Sequence, residues 1–287
     1  MSDAAAFSRA YSAADRTIHK IATGQPDLQR SLARLEERLW RRELAGIEPG
    51  PPIFITSLPR AGTTLLLEVL AAHPDLTSHT YRHMPFLMCP LLWDRLSRGF
   101  RQREAKRERA HGDGMAVGYD SVEAFEEILW MAFFPDRFQK DRIRPWTERT
   151  KSLGLPEFLT RHMAKMVLLS GGASRYVSKN NANIARIGWL SRALPEAAIV
   201  VPFREPSGHI RSMLRQHRGF AEAQKDAPFV REYMESIGHF EFGEAHRPID
   251  FGGWLEGAAE LSPETEAYWA RYWVAAMENV LAEAEGR

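Results

Sequence analysis

The sequence predicts an α/β fold, a central parallel sheet flanked by helices, with a helical extension ahead of it. Three short runs of apolar, β-type residues carry that expectation: "IFIT" at 53–56, "RYVSK" at 175–179 and "AAIVVPFR" at 197–204. Runs of this kind read as strands buried on both faces. Each is followed by residues with helical apolar spacing, "TTLLLEVLAA", "NIARIGWLSRAL" and "SGHIRSMLRQH". Strand–helix–strand alternation implies parallel βαβ units.

Composition sets the outer limits. The chain has 287 residues, 44% hydrophobic and 26% charged, which suits one globular domain with a sizeable core. The net charge of +1 gives no general attraction to nucleic acid or anionic lipid. The single cysteine, Cys89, allows no internal disulfide and fits a reducing compartment. No unbroken apolar run opens the chain and none reaches eighteen residues, so we expect a cytoplasmic protein with no leader and no membrane span.

Residues 4–21 and 27–46 show helical periodicity, and Leu28, Leu32, Leu35 and Leu39 are expected on one apolar face, packed on the core or on a second subunit. "GIEPGPP" breaks the chain, dividing N-terminal helices at 1–48 from the α/β domain at 49–287. "IFIT" is the first strand, and Thr63 to Ala72 the helix after it, closing near "HPD". Residues 84–98 are apolar and aromatic and read as helix. "RGFRQREAKRERAHGDG" reads as a solvated basic helix followed by a loop. "SVEAFEEILWMAFF" reads as an amphipathic helix capped by Ser121. "PEFLTRHMAKMVLLSG" is another helix, and 262–284 is one long helix with Trp269, Tyr272 and Trp273 as core residues.

The turn "SLPRAGTT" joins the first strand to its helix. Backbone N–H groups at a helix start have no intrahelical partner, and the helix dipole adds positive potential there. Such a turn is an anion site. Gly62 lets an oxyanion approach the backbone, Thr63 and Thr64 add hydroxyls, and Arg60 can fork onto two oxygens. A nucleoside triphosphatase loop would need a Gly where Ser57 stands and a Lys where Thr63 stands. We find no acidic strand end suited to Mg²⁺, so no metal is expected. The plain alternative is an ordinary strand–helix turn. A second cradle is "REPSGHIRS", where Arg204 ends a strand and Ser212 follows eight residues later on a helix opened by Pro206. Carboxyl ends of parallel strands are where open α/β sheets bind ligands. Here the alternative is that Arg204 pairs with an acid such as Glu205, and that Ser212 faces solvent.

Together, "PRAGTT", "SKNNANIARIGWLSRALPEAAIVVPFR" and "REPSGHIRS" resemble the sulfotransferase family over residues 53–217. That family uses 3′-phosphoadenosine 5′-phosphosulfate (PAPS) and releases adenosine 3′,5′-bisphosphate (PAP). The resemblance implies a sheet like that of nucleotide kinases. It implies that Pro59, Arg60, Ala61, Gly62, Thr63 and Thr64 hold the 5′-phosphosulfate, that Arg204 and Ser212 hold the 3′-phosphate, and that Lys179 is a second cation, or else a surface lysine. The implied reaction is metal-independent in-line transfer of a sulfuryl group to a hydroxyl or amine, with Arg60 stabilising charge on the leaving oxygen. A small-molecule kinase and a non-catalytic nucleotide-binding protein stay in play. Relatives carry a further strand and an acidic segment after such a tail, so the family's usual C-terminal end is expected to be lacking. Gly252, Gly253 and Trp254 faintly echo the family's Gly-rich segment, or else form a loop beside an aromatic helix.

The acceptor must lose a proton, so a general base is expected. Many relatives carry a Glu shortly after the loop helix, near the place where Thr80 stands here. The candidates are His111 in "AHGDG", then His83 and Asp113, since histidine accepts a proton near neutrality. Met84, Phe86, Met88 and Trp93 in "MPFLMCPLLW" line an acceptor pocket or, on the plainer reading, pack a helix. A small-molecule or other hydroxyl or amine acceptor is the expected partner, with no nucleic acid or membrane; a homo-oligomer is left open.

Overall fold

The computed structural model describes residues 13–98, 107–108, 116–117, 121–225 and 228–285. Among the described residues, helices α1 (Ala13–Gly24) and α2 (Pro26–Leu39) come first, then a single turn at Arg41–Leu44. Strand β1 (Gly50–Ile55) leads into α3 (Thr63–Ala71), β2 (Leu76–Thr77) and α4 (Pro90–Ser97). Two short strands, β3 (Arg107–Glu108) and β4 (Ala116–Val117), pair antiparallel with each other. Then come α5 (Glu127–Phe133), α6 (Leu155–Ser170), β5 (Arg175–Lys179), α7 (Ile187–Ala193), β6 (Ala198–Val200), α8 (Pro206–Lys225), α9 (Pro228–Ser236) and α10 (Glu266–Glu285).

The main sheet has the order β2-β5-β1-β6 and every pairing in it is parallel. Its centre is buried as the apolar runs require: Phe54, Ile55 and Val177 are fully covered and Tyr176 nearly so. Ile55 is level with Lys179 on one side and Val200 on the other. Three strands therefore end on one rim, and the chain segments that leave them start side by side. This register places the site.

Several elements differ from expectation. Helix α2 buries Gln29, Ala33 and Glu36, while Leu28, Leu35 and Leu39 are exposed. The cause is a fully buried cation: Lys165 on α6 pairs with Glu36 at 2.9 Å and Glu37 at 3.3 Å. An unpaired charge there would be severely destabilising, so the polar face turns inward. Helix at 84–98 is confined to Pro90–Ser97. Pro85 and Pro90 bar the α-conformation for the residues before them. The helix starts at Glu127 with Glu126, not Ser121, in the capping position, and Val122 bridges Thr80 antiparallel. Within the basic run, Arg107–Glu108 is strand rather than helix. The C-terminal helix forms but starts at Glu266; Trp269 and Tyr272 are buried, Trp273 is half-buried, and Trp254 stacks on Tyr272 at 5.2 Å. No helix among the described residues is long and apolar enough to cross a membrane.

Candidate anion-binding site

The loop after β1 has two residues in left-handed backbone, Arg60 (φ 74°) and Gly62 (φ 89°). For glycine this conformation is nearly cost-free, but for arginine it costs about 1 kcal/mol or more. Neighbouring groups hold it in place. Arg204 Nη1 donates to the Arg60 carbonyl at 2.9 Å, and His209 Nε2 lies 2.8 Å from the Pro59 carbonyl. A carbonyl only accepts, so that ring nitrogen carries the hydrogen. His209 Nδ1 then accepts from Trp273 Nε1 at 3.2 Å. Burial holds the His209 pKa below its ordinary value, and the nearby Arg204 and Arg60 push the same way. The neutral tautomer thus ties the loop, α8 and α10 together.

Gly62 takes the capping position of α3 and supplies no side-chain cap, and the first turn holds no acidic residue. The Thr63 hydroxyl turns away from the capping role and donates to Asn181 Oδ1 at 3.1 Å. The N-terminus of α3 is therefore not neutralised by its own chain. An added Cβ at Gly62 would meet nothing within 4 Å, so the turn opens outward.

The segment after β5 shows why "SKNN" follows a strand. Lys179 ends β5 and lines the cleft. Asn180 points the other way: its N–H donates to the Ile55 carbonyl at 3.0 Å and its Nδ2 to Glu127 Oε2 at 2.6 Å. Glu127 also pairs with the fully buried Arg186, whose guanidinium lies between the Trp130 and Trp146 rings at 4.0 and 4.5 Å. Burial raises the Glu127 pKa, and the Arg186 charge opposes that shift. Asn181 faces the loop again: its carbonyl accepts from Thr56 Oγ1 at 3.1 Å, and its Nδ2 donates to Glu241 Oε1 at 3.3 Å.

These elements enclose a cleft lined by Pro59, Arg60, Thr63, Thr64, Lys179 and Asn181 on the sheet side. Across from them lie Phe220, Gln224, Met234, His239, Glu241 and Phe242. Its cavity volume is about 50 Å³. One water needs roughly 10–15 Å³ by that measure, so the enclosed part of the cleft matches one tetrahedral anionic group, and its open part borders the Phe220, Met234 and Phe242 side. Any larger ligand must extend across the surface.

Of the residues singled out in the sequence, Pro59, Arg60, Thr63, Thr64 and Lys179 line this cleft, and Ala61 and Gly62 lie in its loop. Arg204 and Ser212 do not line it but touch its loop, Ser212 accepting from Arg60 Nε at 3.5 Å. Arg204 is four residues beyond the end of β6 and is exposed. It does not pair with Glu205, whose carboxylate instead accepts from Ser207 N at 2.8 Å and Gly208 N at 2.6 Å. Those bonds hold the Glu205 pKa below the ordinary carboxylate value.

His83 is buried away from the cleft, its Nδ1 accepting from Thr80 N at 3.0 Å in a tight turn. His111 and Asp113 lie outside the described residues. Met88 is fully covered in the core, Phe86 packs on Trp93 with ring centres 5.0 Å apart, and neither they nor Met84 line the cleft. The apolar wall comes instead from α8, α9 and the segment after α9. Sequence reasoning missed His209, Asn181, His239 and Glu241. His209 and Asn181 lie inside the quoted motifs; nothing in sequence spacing marks the other two. Among the described residues, no group of three or more His, Cys, Asp or Glu side chains is placed to hold a metal.

A family model described as "Sulfotransferase family" matches residues 51–243. Among solved structures, the chain is similar to sulfotransferase STF9 from Mycobacterium avium, at 17% identity and a TM-score of 0.43, covering 91% of this chain and 74% of that one. It is also similar to sulfotransferase STF1 from Mycobacterium tuberculosis H37Rv, at 16% identity and a TM-score of 0.43, covering 87% and 75%. No curated protein matches it.

Proposed function

The chain belongs to the sulfotransferase family, and from that premise we propose that it takes a sulfuryl group from PAPS and passes it to a hydroxyl or amine acceptor. The observation that supports this reading is the uncapped start of α3, faced by Arg60, Thr63, Thr64 and Lys179 around one anion-sized cleft. These residues fit the phosphosulfate end of the donor. They offer two cations, the Thr64 hydroxyl and the outward N–H groups of a helix start, a donor set suited to an oxyanion. PAPS supplies a sulfuryl group already activated by attachment to a phosphate leaving oxygen.

The chain's own residues do the rest. Arg60 and Lys179 stabilise negative charge as it builds on the leaving oxygen. The left-handed loop is held in advance by Arg204 and His209, so little reorganisation is needed when charge develops. Arg204, exposed beside the loop, is the residue we assign to the donor's 3′-phosphate, beyond the cleft. Phe220, Met234 and Phe242 give the acceptor an apolar wall, so we propose an acceptor with an apolar or aromatic body.

The test is thermal unfolding with PAP, or with ATP and Mg²⁺, followed by transfer from PAPS to phenols, alcohols and amines. A ligand at a hundred times its Kd, bound only by the folded state, stabilises by about 2.7 kcal/mol. PAP is expected to raise Tm by several degrees without added metal, with transfer to at least one acceptor class. Stabilisation by ATP and Mg²⁺ alone would replace this reading with a kinase. PAP binding without any transfer would reduce it to a nucleotide-binding protein.

A further inference from the structure

Among the described residues that line the cleft, Glu241 is the only carboxylate. A negative charge beside an anion's seat weakens the anion's binding. Its presence there calls for a role other than gripping the donor. Its position is fixed from the donor side. Asn181 Nδ2 donates to Glu241 Oε1 at 3.3 Å, while Asn181 Oδ1 accepts from Thr63 Oγ1 at 3.1 Å. One amide side chain thus spans the first residue of α3 and this carboxylate. Phe242, the next residue, belongs to the apolar wall. The carboxylate therefore stands where the anion's seat meets the acceptor's wall. An ionised carboxylate accepts hydrogen bonds and donates none.

We propose that Glu241 is the general base that takes the proton from the acceptor's hydroxyl or amine. The proposal rests on the sulfuryl-transfer reading above. The acceptor's oxygen or nitrogen forms a bond to sulfur as the bond from sulfur to the 5′-phosphate oxygen breaks. The electron pair of the broken bond stays on that oxygen, and the acceptor's proton passes to the Glu241 carboxylate. The charged and titratable groups that face Glu241 are Arg60, Lys179 and His239 around the cleft, with Glu127 and Tyr272 behind it. The base thus comes from the segment after α9, on the wall opposite the phosphate loop, and not from the turn that holds His83.

The experiment compares wild type with Glu241→Gln, using PAPS with phenol and with 4-nitrophenol, and PAP for thermal shift. General-base loss costs about 10²- to 10⁴-fold in kcat, and that is the loss expected with phenol. With 4-nitrophenol, whose hydroxyl is far more acidic and needs less help, the loss should shrink at least about tenfold. The PAP-induced rise in Tm should be unchanged or larger, since a like charge has left the anion's surroundings. A loss equal for both phenols, or below about threefold, overturns the assignment. Where the Gln variant does not fold, Glu241→Asp keeps the charge and draws it back by one methylene. It should show the same dependence on acceptor acidity, and a uniform loss again overturns the proposal. Failure of the underlying reading looks different: wild type itself would transfer to neither phenol, and the base assignment would fall with it.

Discussion

Two helices start on the same rim and treat their N-terminal ends in opposite ways. Helix α3 begins at a bare glycine, with no side-chain cap and no acid in its first turn. Helix α8 begins with Pro206, and Glu205 just ahead of it satisfies two of its N–H groups. A carboxylate at a helix start neutralises the positive end of the dipole. One start therefore keeps its potential for a ligand, while the other gives it to its own chain. The α8 region can still meet an anion, but through the Arg204 side chain and not through its backbone. The sequence motifs lead one to expect an anion at both stretches, and the caps at the two helix starts differ.

The largest effect expected from that contrast is on Arg60. Its guanidinium lines the cleft at the uncapped helix. Hydrogen bonds to charged groups are worth about 1.5–3 kcal/mol. Arg60→Ala should therefore weaken PAP binding about ten- to a hundredfold, measured by calorimetry, and lower transfer from PAPS by at least as much. Arg204→Ala should cost less, because one of its N–H groups is already used on the Arg60 carbonyl. Equal losses at the two positions would mean that the uncapped start has no special share in binding.

Acid should affect the two helix starts in a fixed order. Burial keeps His209 below its ordinary value of 6.5. A group depressed in this way contributes stability that is complete above the unfolded value and is lost as pH falls below about 6.5. Protonation would also cost Nδ1 its role as acceptor from Trp273. Glu205 is likewise depressed, from a carboxylate value of 4.5, so its cap is complete above that pH and fails only further down. Between pH 6.5 and 4.5 the loop at 57–62 should loosen while the α8 cap stays intact. Other buried histidines titrate with the same sign, among them His19, held down to about 4 by burial, and so would obscure a bulk measurement. The informative quantity is the difference in Tm between wild type and His209→Gln, which should shrink as pH falls from 7.5 to 5.5. A constant difference would show that the neutral ring is not what holds the loop.

How much of this was legible in the sequence follows the range of the interactions. Strand, turn and helix at 53–72 were plain, because apolar runs and glycine act locally. The same holds for β5 and α8. Local patterns failed where a distant partner decided. The leucines of α2 have ideal helical spacing, yet buried Lys165 on α6 draws Glu36 inward and leaves Leu28, Leu35 and Leu39 exposed. Residues 121–126 carry a helical pattern, but Val122 bridges Thr80 instead. In the site, Arg60 and Lys179 could be found from their positions in motifs. Glu241 could not, because only the folded chain brings it to Asn181, 60 residues away in sequence. Of the base candidates at the sequence level, His83 is locked in its own turn, while His111 and Asp113 lie outside the described residues.

The smallest predicted effect tests the contrast most directly. Glu205→Gln keeps an acceptor at the α8 start but removes the charge, and the side chain is exposed, so fold stability should fall only slightly. The freed dipole and the loss of a negative neighbour beside Arg204 should instead favour an anion there. Affinity for PAP is expected to rise by a few-fold, and more at low salt than at 0.5 M, since exposed charges are screened over about 10 Å at 0.1 M. Adenosine 5′-phosphosulfate lacks the 3′-phosphate and should bind both proteins alike. If both ligands gain equally, the carboxylate was acting on the uncapped start through space, and the two helix ends form one electrostatic site. If neither gains, Arg204 is occupied in holding the loop, and the donor's 3′-phosphate must be met elsewhere on the surface.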